Sequence, residues 1–179
     1  MTAFFTADTH FGHGGALGLF RRPFASVHTM DEAMIERWNE RVGPADEVWH
    51  LGDFAVRRPA AEMARILAAV HGKIHLITGN NDGPETLALR DFASVRPYVE
   101  LEMAGVHLVL CHYPFRSWNR MARGAINLHG HSHGRLKRLP RQLDVGMDVW
   151  DFRPISFEQV LAACSPRSRR AQAWRNLDR

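Results

Sequence analysis

The 179-residue sequence predicts an α/β fold with more than one sheet. Two observations carry this. Short apolar runs alternate with helix-period segments through the first half, as β-α-β-α-β, which argues parallel pairing. The second half carries a hairpin signal and further short strands. With 45% apolar residues, the length suits one domain, burying roughly 70% of the surface the unfolded chain exposes.

Ala3-Phe4-Phe5-Thr6-Ala7 reads as a buried strand, and the Gly-rich stretch 11–28 as a loop. Thr29-Met30-Asp31-Glu32 matches a capping box opening a helix whose apolar face is Met34, Trp38 and Val42. Glu47–Leu51 is a second strand. Pro59 opens a second helix carrying Met63, Ile66, Leu67 and Val70, with Gly72 as its stop. Lys73–Thr78 is a third strand, and a short helix follows over 84–91. Tyr98–Met103 and Val106–Cys111 flank Ala104-Gly105 as a hairpin. Ala125–Leu128 and Leu143–Val149 read as further strands. Ser156 and Gln159 form a capping box for a last helix ending near Cys164. The domain is expected over 1–164, followed by a tail over 165–179.

The net charge of +4 lies entirely in that tail, which holds five Arg and one acid and leaves residues 1–164 formally neutral. A solvated tail is the favoured reading, and nucleic-acid binding through it the weaker one. No apolar run reaches the ~20 residues of a membrane span, and the N-terminus lacks the charged and apolar regions of a signal peptide. A cytoplasmic location is expected. Cys111 and Cys164 lie too far apart for a thiolate zinc knuckle and suit a reducing compartment.

Histidine is the unusual residue: there are eleven. Five predicted strands end in polar residues able to bind metal: Asp8 and His10, then Asp53, Asn80, His112, and finally His131 and His133. Ligand sites in open α/β sheets gather beyond the carboxyl ends of strands. Seven oxygen and imidazole donors without a thiolate suit Mn, Fe or Zn, and exceed the needs of one tetrahedral ion. They suit two ions about 3.5–4 Å apart.

The motifs Asp8-x-His10, Gly52-Asp53, Gly79-Asn80-Asn81-Asp82, His112 and Gly130-His131-x-His133 resemble, in order, those of the calcineurin-like metallophosphoesterase family. Asp-Thr-His-Phe-Gly-His at 8–13 and His112-Tyr113-Pro114 look like its small bacterial or phage-type branch. The resemblance implies a four-layer α/β/β/α sandwich of two mixed sheets flanked by helices. It also implies two divalent metal ions, Mn2+ favoured, with Fe, Zn or Ni as alternatives. Asp8, His10 and His133 would hold the first ion, Asn80, His112 and His131 the second, and Asp53 would bridge them. A bridging hydroxide would attack phosphorus in line.

The family usually has His where this chain has Asn81, and Asn cannot deliver a proton near neutral pH. That tilts the expectation toward small or nucleotide-like phosphodiesters with good leaving groups. The rivals are a phosphomonoesterase or pyrophosphatase on the same scaffold and a non-catalytic metal-binding scaffold. Asn81 and His13 are assigned to catalysis and substrate binding: His13, three residues past His10, could contact substrate or leaving group in place of the missing histidine, against a bland reading as a loop histidine. Arg116 and Trp118 are assigned to substrate binding, with core packing the competing reading for Trp118. Asp82 is expected to be structural, and His50 and His129 buried.

Overall fold

A computed structural model describes residues 1–165; the predicted Arg-rich tail therefore lies, Ser165 apart, outside the described residues. The fold is mixed α/β, with two mixed sheets and flanking helices. The first sheet comprises β1 (Ala3–Thr6), β2 (Glu47–His50), β3 (Lys73–Ile77), β4 (Ser94–Arg96) and, later in the chain, β9 (Ile155–Ser156), in the order β4-β3-β2-β1-β9. Its first four strands run parallel and β9 runs antiparallel along the β1 edge. The second sheet orders β5 (Tyr98–Met103), β6 (Val106–Cys111), β7 (Ile126–His129) and β8 (Gln142–Asp144) as β5-β6-β7-β8. β5 and β6 are the expected hairpin, and Ala104 (φ 47°) and Gly105 (φ 75°) supply the two left-handed residues of its turn. β6, β7 and β8 are parallel.

Alternation along the strands sorts residues into layers. Phe4, Val48, Ile74 and Leu76 pack beneath α2 (Val27–Asn39) and α3 (Ala60–Ala69), whose Met30, Met34, Trp38, Met63 and Leu67 are buried on them. Phe5, Trp49, Leu51 and Ile77 face Leu108, Leu110, Leu128 and Leu143 between the sheets. α5 (Phe157–Cys164) joins this inner cluster through Val160 and packs on β1, β8 and β9. Beyond the second sheet, Val109 meets Trp118 and Ala125 of the 113–125 segment, which includes a 3-10 turn at Met121–Arg123.

Several local expectations change. α2 begins three residues early: Ser26 is its N-cap and Thr29 is N3, the two exchanging reciprocal bonds, so the box runs Ser26–Thr29 and not Thr29–Glu32. Asp31, one residue of the expected box, instead accepts from the Gly12 N–H across the loop. The 11–28 loop contains one helical turn, α1 (Ala16–Leu19), and the helix expected over 84–91 is only α4 (Pro84–Leu87). The strand expected to run to Val149 stops at Asp144, whose carboxylate accepts from Gly146 N–H, and a 3-10 turn, Met147–Val149, follows. β4 and β9 were not expected; at three and two residues they are too short for a period-two pattern. The Ser156–Gln159 box caps α5 as expected.

Candidate metal centre

The carboxyl ends of β1, β2, β3, β6 and β7 converge at one edge of the two sheets. The chain turns there through sterically costly backbone. Asp8, His10, Asp53, His131 and His133 all have φ between 46° and 66°, the left-handed region that non-glycine residues rarely adopt. Five of the seven expected ligands thus sit where each strand doubles back, which aims their side chains at a common point. Two glycines permit the close approach. At Gly52 (φ 90°) a Cβ would lie 2.7 Å from the Gly79 backbone, and at Gly130 it would lie 2.7 Å from Asp8 Oδ2.

The side chains form two overlapping triads: Asp8, His10 and His133, and Asp8, Asp53 and His112, each with ligand atoms within 4.8 Å of one another. Asp53 Oδ2 lies 3.5 Å from His10 Nε2 and 3.7 Å from His112 Nε2. Asn80 Oδ1 is 3.0 Å from His112 Nε2. The His131 ring stands 5.1 Å from the His112 ring, centroid to centroid, and its backbone N–H donates to Asp8 Oδ2. Asp8 therefore belongs to both triads, whereas the family pattern gives the shared position to Asp53.

These groups fit a cation. Asp8 Oδ1 and both ring nitrogens of His10 are buried without a hydrogen-bond partner, an arrangement costly in a protein interior. Burial, then the neighbouring Asp144 and Asp53 carboxylates, push the Asp8 carboxyl well above its ordinary range. Burial, then Arg22 and His133, press His10 down to about 2. His112 Nδ1 donates to the Leu51 carbonyl at 2.8 Å, so in the imidazole form that a metal takes, Nε2 would present a lone pair beside Asn80 Oδ1. A cation between two such acceptors would satisfy both. Oxygen and imidazole donors without sulfur are what divalent transition ions take.

Residues around the triads fix their geometry. Asp82 accepts from the backbone N–H groups of Asp53, Phe54 and Gly79, tying the ends of β2 and β3 together as a structural residue. Asp144 accepts from Ser132 Oγ and from the Gly134 and Gly146 N–H groups, pinning the turn that carries His131 and His133. Sequence reasoning missed Asp144, and also Asp148 and Arg22, which meet at His133; none lies in a motif with recognisable spacing. Asn81 donates to both oxygens of Asp53. The His13 ring lies 5.4 Å from that of His10, and its Nδ1 is buried without a partner. Burial, then Arg22 and Arg57, lower His13 from its ordinary value.

One expected substrate-binding residue takes its competing, core-packing position. Trp118 is a core residue on the outward side of the second sheet: 9% exposed, packed on Val109 and Ala125, its Nε1 donating to the Ala125 carbonyl. Arg116 is exposed on the same segment. His50 and His129 are buried as expected, bonded to Thr9 and to the Gly130 carbonyl.

Strained strand ends that collect carboxylates and imidazoles between two facing sheets define a metal-binding α/β protein. The chain belongs to the calcineurin-like phosphoesterase superfamily, whose domain model matches residues 1–144, and that superfamily generally uses divalent metals. It is similar to protein MJ1445 of Methanocaldococcus jannaschii, with 29% identity over 163 residues covering 87% of this chain and 86% of that one. It is also similar to the Gene 66 protein of Mycobacterium phage D29, with 30% identity over 177 residues covering 82% and 87%. A solved structure of protein AQ665 from Aquifex aeolicus shares the fold, with TM-score 0.70 and 22% identity over 89% of this chain and 97% of that one. No helix among the described residues is long and apolar enough to cross a membrane.

Proposed function

We propose that this protein is a dinuclear metal-dependent phosphodiesterase acting on small or nucleotide-like phosphodiesters. In this reading Asp8, His10 and His133 hold one divalent ion, Asn80, His112 and His131 the other, and Asp53 lies between them. Mn2+ is the favoured ion. Bound ions supply charge neutralisation at the phosphoryl oxygens and make a water nucleophilic near neutral pH.

The observation that carries the diesterase reading is Asn81. Its side-chain amide is turned onto Asp53 at 2.6 Å, and an amide has no proton to give near neutral pH. His13 is the nearest substitute, and burial, then Arg22 and Arg57, lower its affinity for protons, which weighs against its holding a proton for an alkoxide. With neither group supplying an acid, the site suits esters whose leaving group departs without protonation, as aryl diesters do, or whose ring strain assists the departing alkoxide, as in cyclic diesters.

The test is a phosphoester panel on Mn2+-reconstituted protein. Bis(p-nitrophenyl) phosphate and cyclic nucleotides are expected to turn over well above alkyl monophosphates and pyrophosphate. Equal or faster hydrolysis of the monophosphates or pyrophosphate would overturn the diesterase assignment. Absence of both metal uptake and turnover would overturn the enzyme reading itself.

A further inference from the structure

Arg22 and Asp148 form a buried pair, 126 residues apart in the chain, directly behind the candidate ligands. Arg22 Nε donates to Asp148 Oδ1 and its terminal NH2 to Oδ2, both at 2.8 Å, a two-pronged grip on the carboxylate. The same guanidinium donates to the backbone carbonyls of Asp8, at 2.6 Å, and Thr9, at 2.8 Å. The Arg22 side chain is wholly buried, flanked by the rings of Phe20 and Phe152. Asp148 Oδ2 meets His133 Nδ1 at 2.7 Å, while the Phe20 ring stacks on the His133 ring at 3.5 Å between centroids.

We propose that Arg22 and Asp148 are positioning residues for the metal centre: the Arg22 fork fixes Asp148, and Asp148 in turn fixes the tautomer and ring orientation of His133. The proposal rests on the reading of Asp8, His10 and His133 as metal ligands. A carboxylate gripped at both oxygens by a guanidinium can only accept, so the ring proton of neutral His133 sits on Nδ1. Nε2 is thereby left as a lone pair toward Asp8 and His10, the form a metal requires. Through the Asp8 and Thr9 carbonyls, the same guanidinium holds the backbone between Asp8 and His10. One residue from the 11–28 loop thus sets all three members of the first triad. Asp148 also balances the buried charge of Arg22, which would otherwise oppose a cation in the adjoining site.

The inference separates a positioning role from a merely stabilising ion pair. Asp148→Asn keeps the volume, but the Arg22 fork claims the amide oxygen and turns the NH2 toward His133. His133 is then driven to carry its proton on Nε2, facing the triad. Long-range proton–nitrogen correlation NMR on metal-free protein reads that tautomer, and calorimetric titration with Mn2+ reads the affinity. In the wild type, His133 is expected as the single Nδ1–H tautomer. In Asp148→Asn it is expected to invert, with one of two Mn2+ sites weakened about 10–100-fold. Arg22→Lys keeps the charge but loses the fork, and is expected to give mixed tautomers and an intermediate loss; it serves as the folded comparison should Asp148→Asn unfold. Wild-type tautomer and affinity in a folded variant would overturn the proposal. Wild-type protein that binds no Mn2+ would count against the metal-centre reading, while the tautomer readout would still decide the strut.

Discussion

Asn81 closes on Asp53 with two hydrogen bonds, from its backbone N–H to Oδ1 at 2.8 Å and from its side-chain amide to Oδ2 at 2.6 Å. The residue that stands where the family usually has a proton donor is thus occupied in fixing the central carboxylate. Asn81→His is expected to restore an acid at the cost of one of those bonds. General acid catalysis contributes about 10²–10⁴-fold, and mainly where the leaving group is poor. The ratio of alkyl monophosphate to bis(p-nitrophenyl) phosphate turnover should therefore rise about 10–100-fold, most of it from the monoester rate. Steady-state kinetics on the two substrates checks this; an unchanged ratio would remove leaving-group protonation as the reason for Asn81.

Asp53 faces both halves of the cluster, 3.5 Å from His10 and 3.7 Å from His112. Asp53→Asn preserves its shape and its bond with the Asn81 backbone but removes the charge that two cations would share. Metal content measured by elemental analysis should fall below that of the wild type. Diesterase activity should fall about 10³-fold, the scale of several kcal/mol of charge stabilisation. Wild-type metal content with wild-type activity would contradict a shared position for this carboxylate.

Asp82 is a stability prediction rather than a catalytic one. Its carboxylate takes three backbone N–H groups at 2.8–2.9 Å, from Asp53, Phe54 and Gly79. Burial raises the carboxyl, and those bonds oppose the shift, which marks it as a buried acceptor. Asp82→Ala strands those donors and should cost about 2–4 kcal/mol, lowering Tm by roughly 5–12 °C in a domain of this size. Asp82→Asn, which keeps one acceptor oxygen, should fall between. Thermal melts decide; a loss under 2 °C for the Ala variant would mean the turn is held by something else.

The ends of the strands were legible because a short apolar run followed by Asp, His or Asn survives as a local signal. The metal-ligating residue types, the parallel β1-β2-β3 core and the β5-β6 hairpin follow from patterns within a dozen residues. What was not legible depends on distant parts of the chain meeting. Arg22 meets Asp148 from 126 residues away in the chain, Asp144 restrains a turn ten residues earlier, and Trp118 packs on the outer face of β6. Capping signals mislead in the same way: Thr29 has the right neighbours for an N-cap, but Ser26, extended at φ −150°, takes the position. The left-handed φ values of five ligand positions have no sequence signature, since non-glycine residues adopt them only where surrounding packing compels it.

The interior histidines predict a pH dependence of stability in metal-free protein. His50 is fully buried between Thr9, whose hydroxyl it contacts through Nε2 at 2.9 Å, and the Trp38 and Phe54 rings. Burial, then the nearby His112, lower it from 6.5 to about 3. A histidine whose folded value is depressed contributes stability that is intact above its unfolded value. That stability is lost as pH falls below 6.5 toward 3, because the unfolded chain gains a proton the folded chain refuses. At pH 5 this amounts to about 2 kcal/mol for one such group. His10 acts in the same direction, while Asp8, raised by burial, acts in the opposite one, so the wild-type curve alone is a sum of opposing slopes. His50→Gln removes one proton site and keeps a donor for Thr9. Urea unfolding in EDTA from pH 7.5 to pH 5 should show the variant losing about 2 kcal/mol less than the wild type. Parallel curves for the two proteins would show that His50 is not held neutral by its burial.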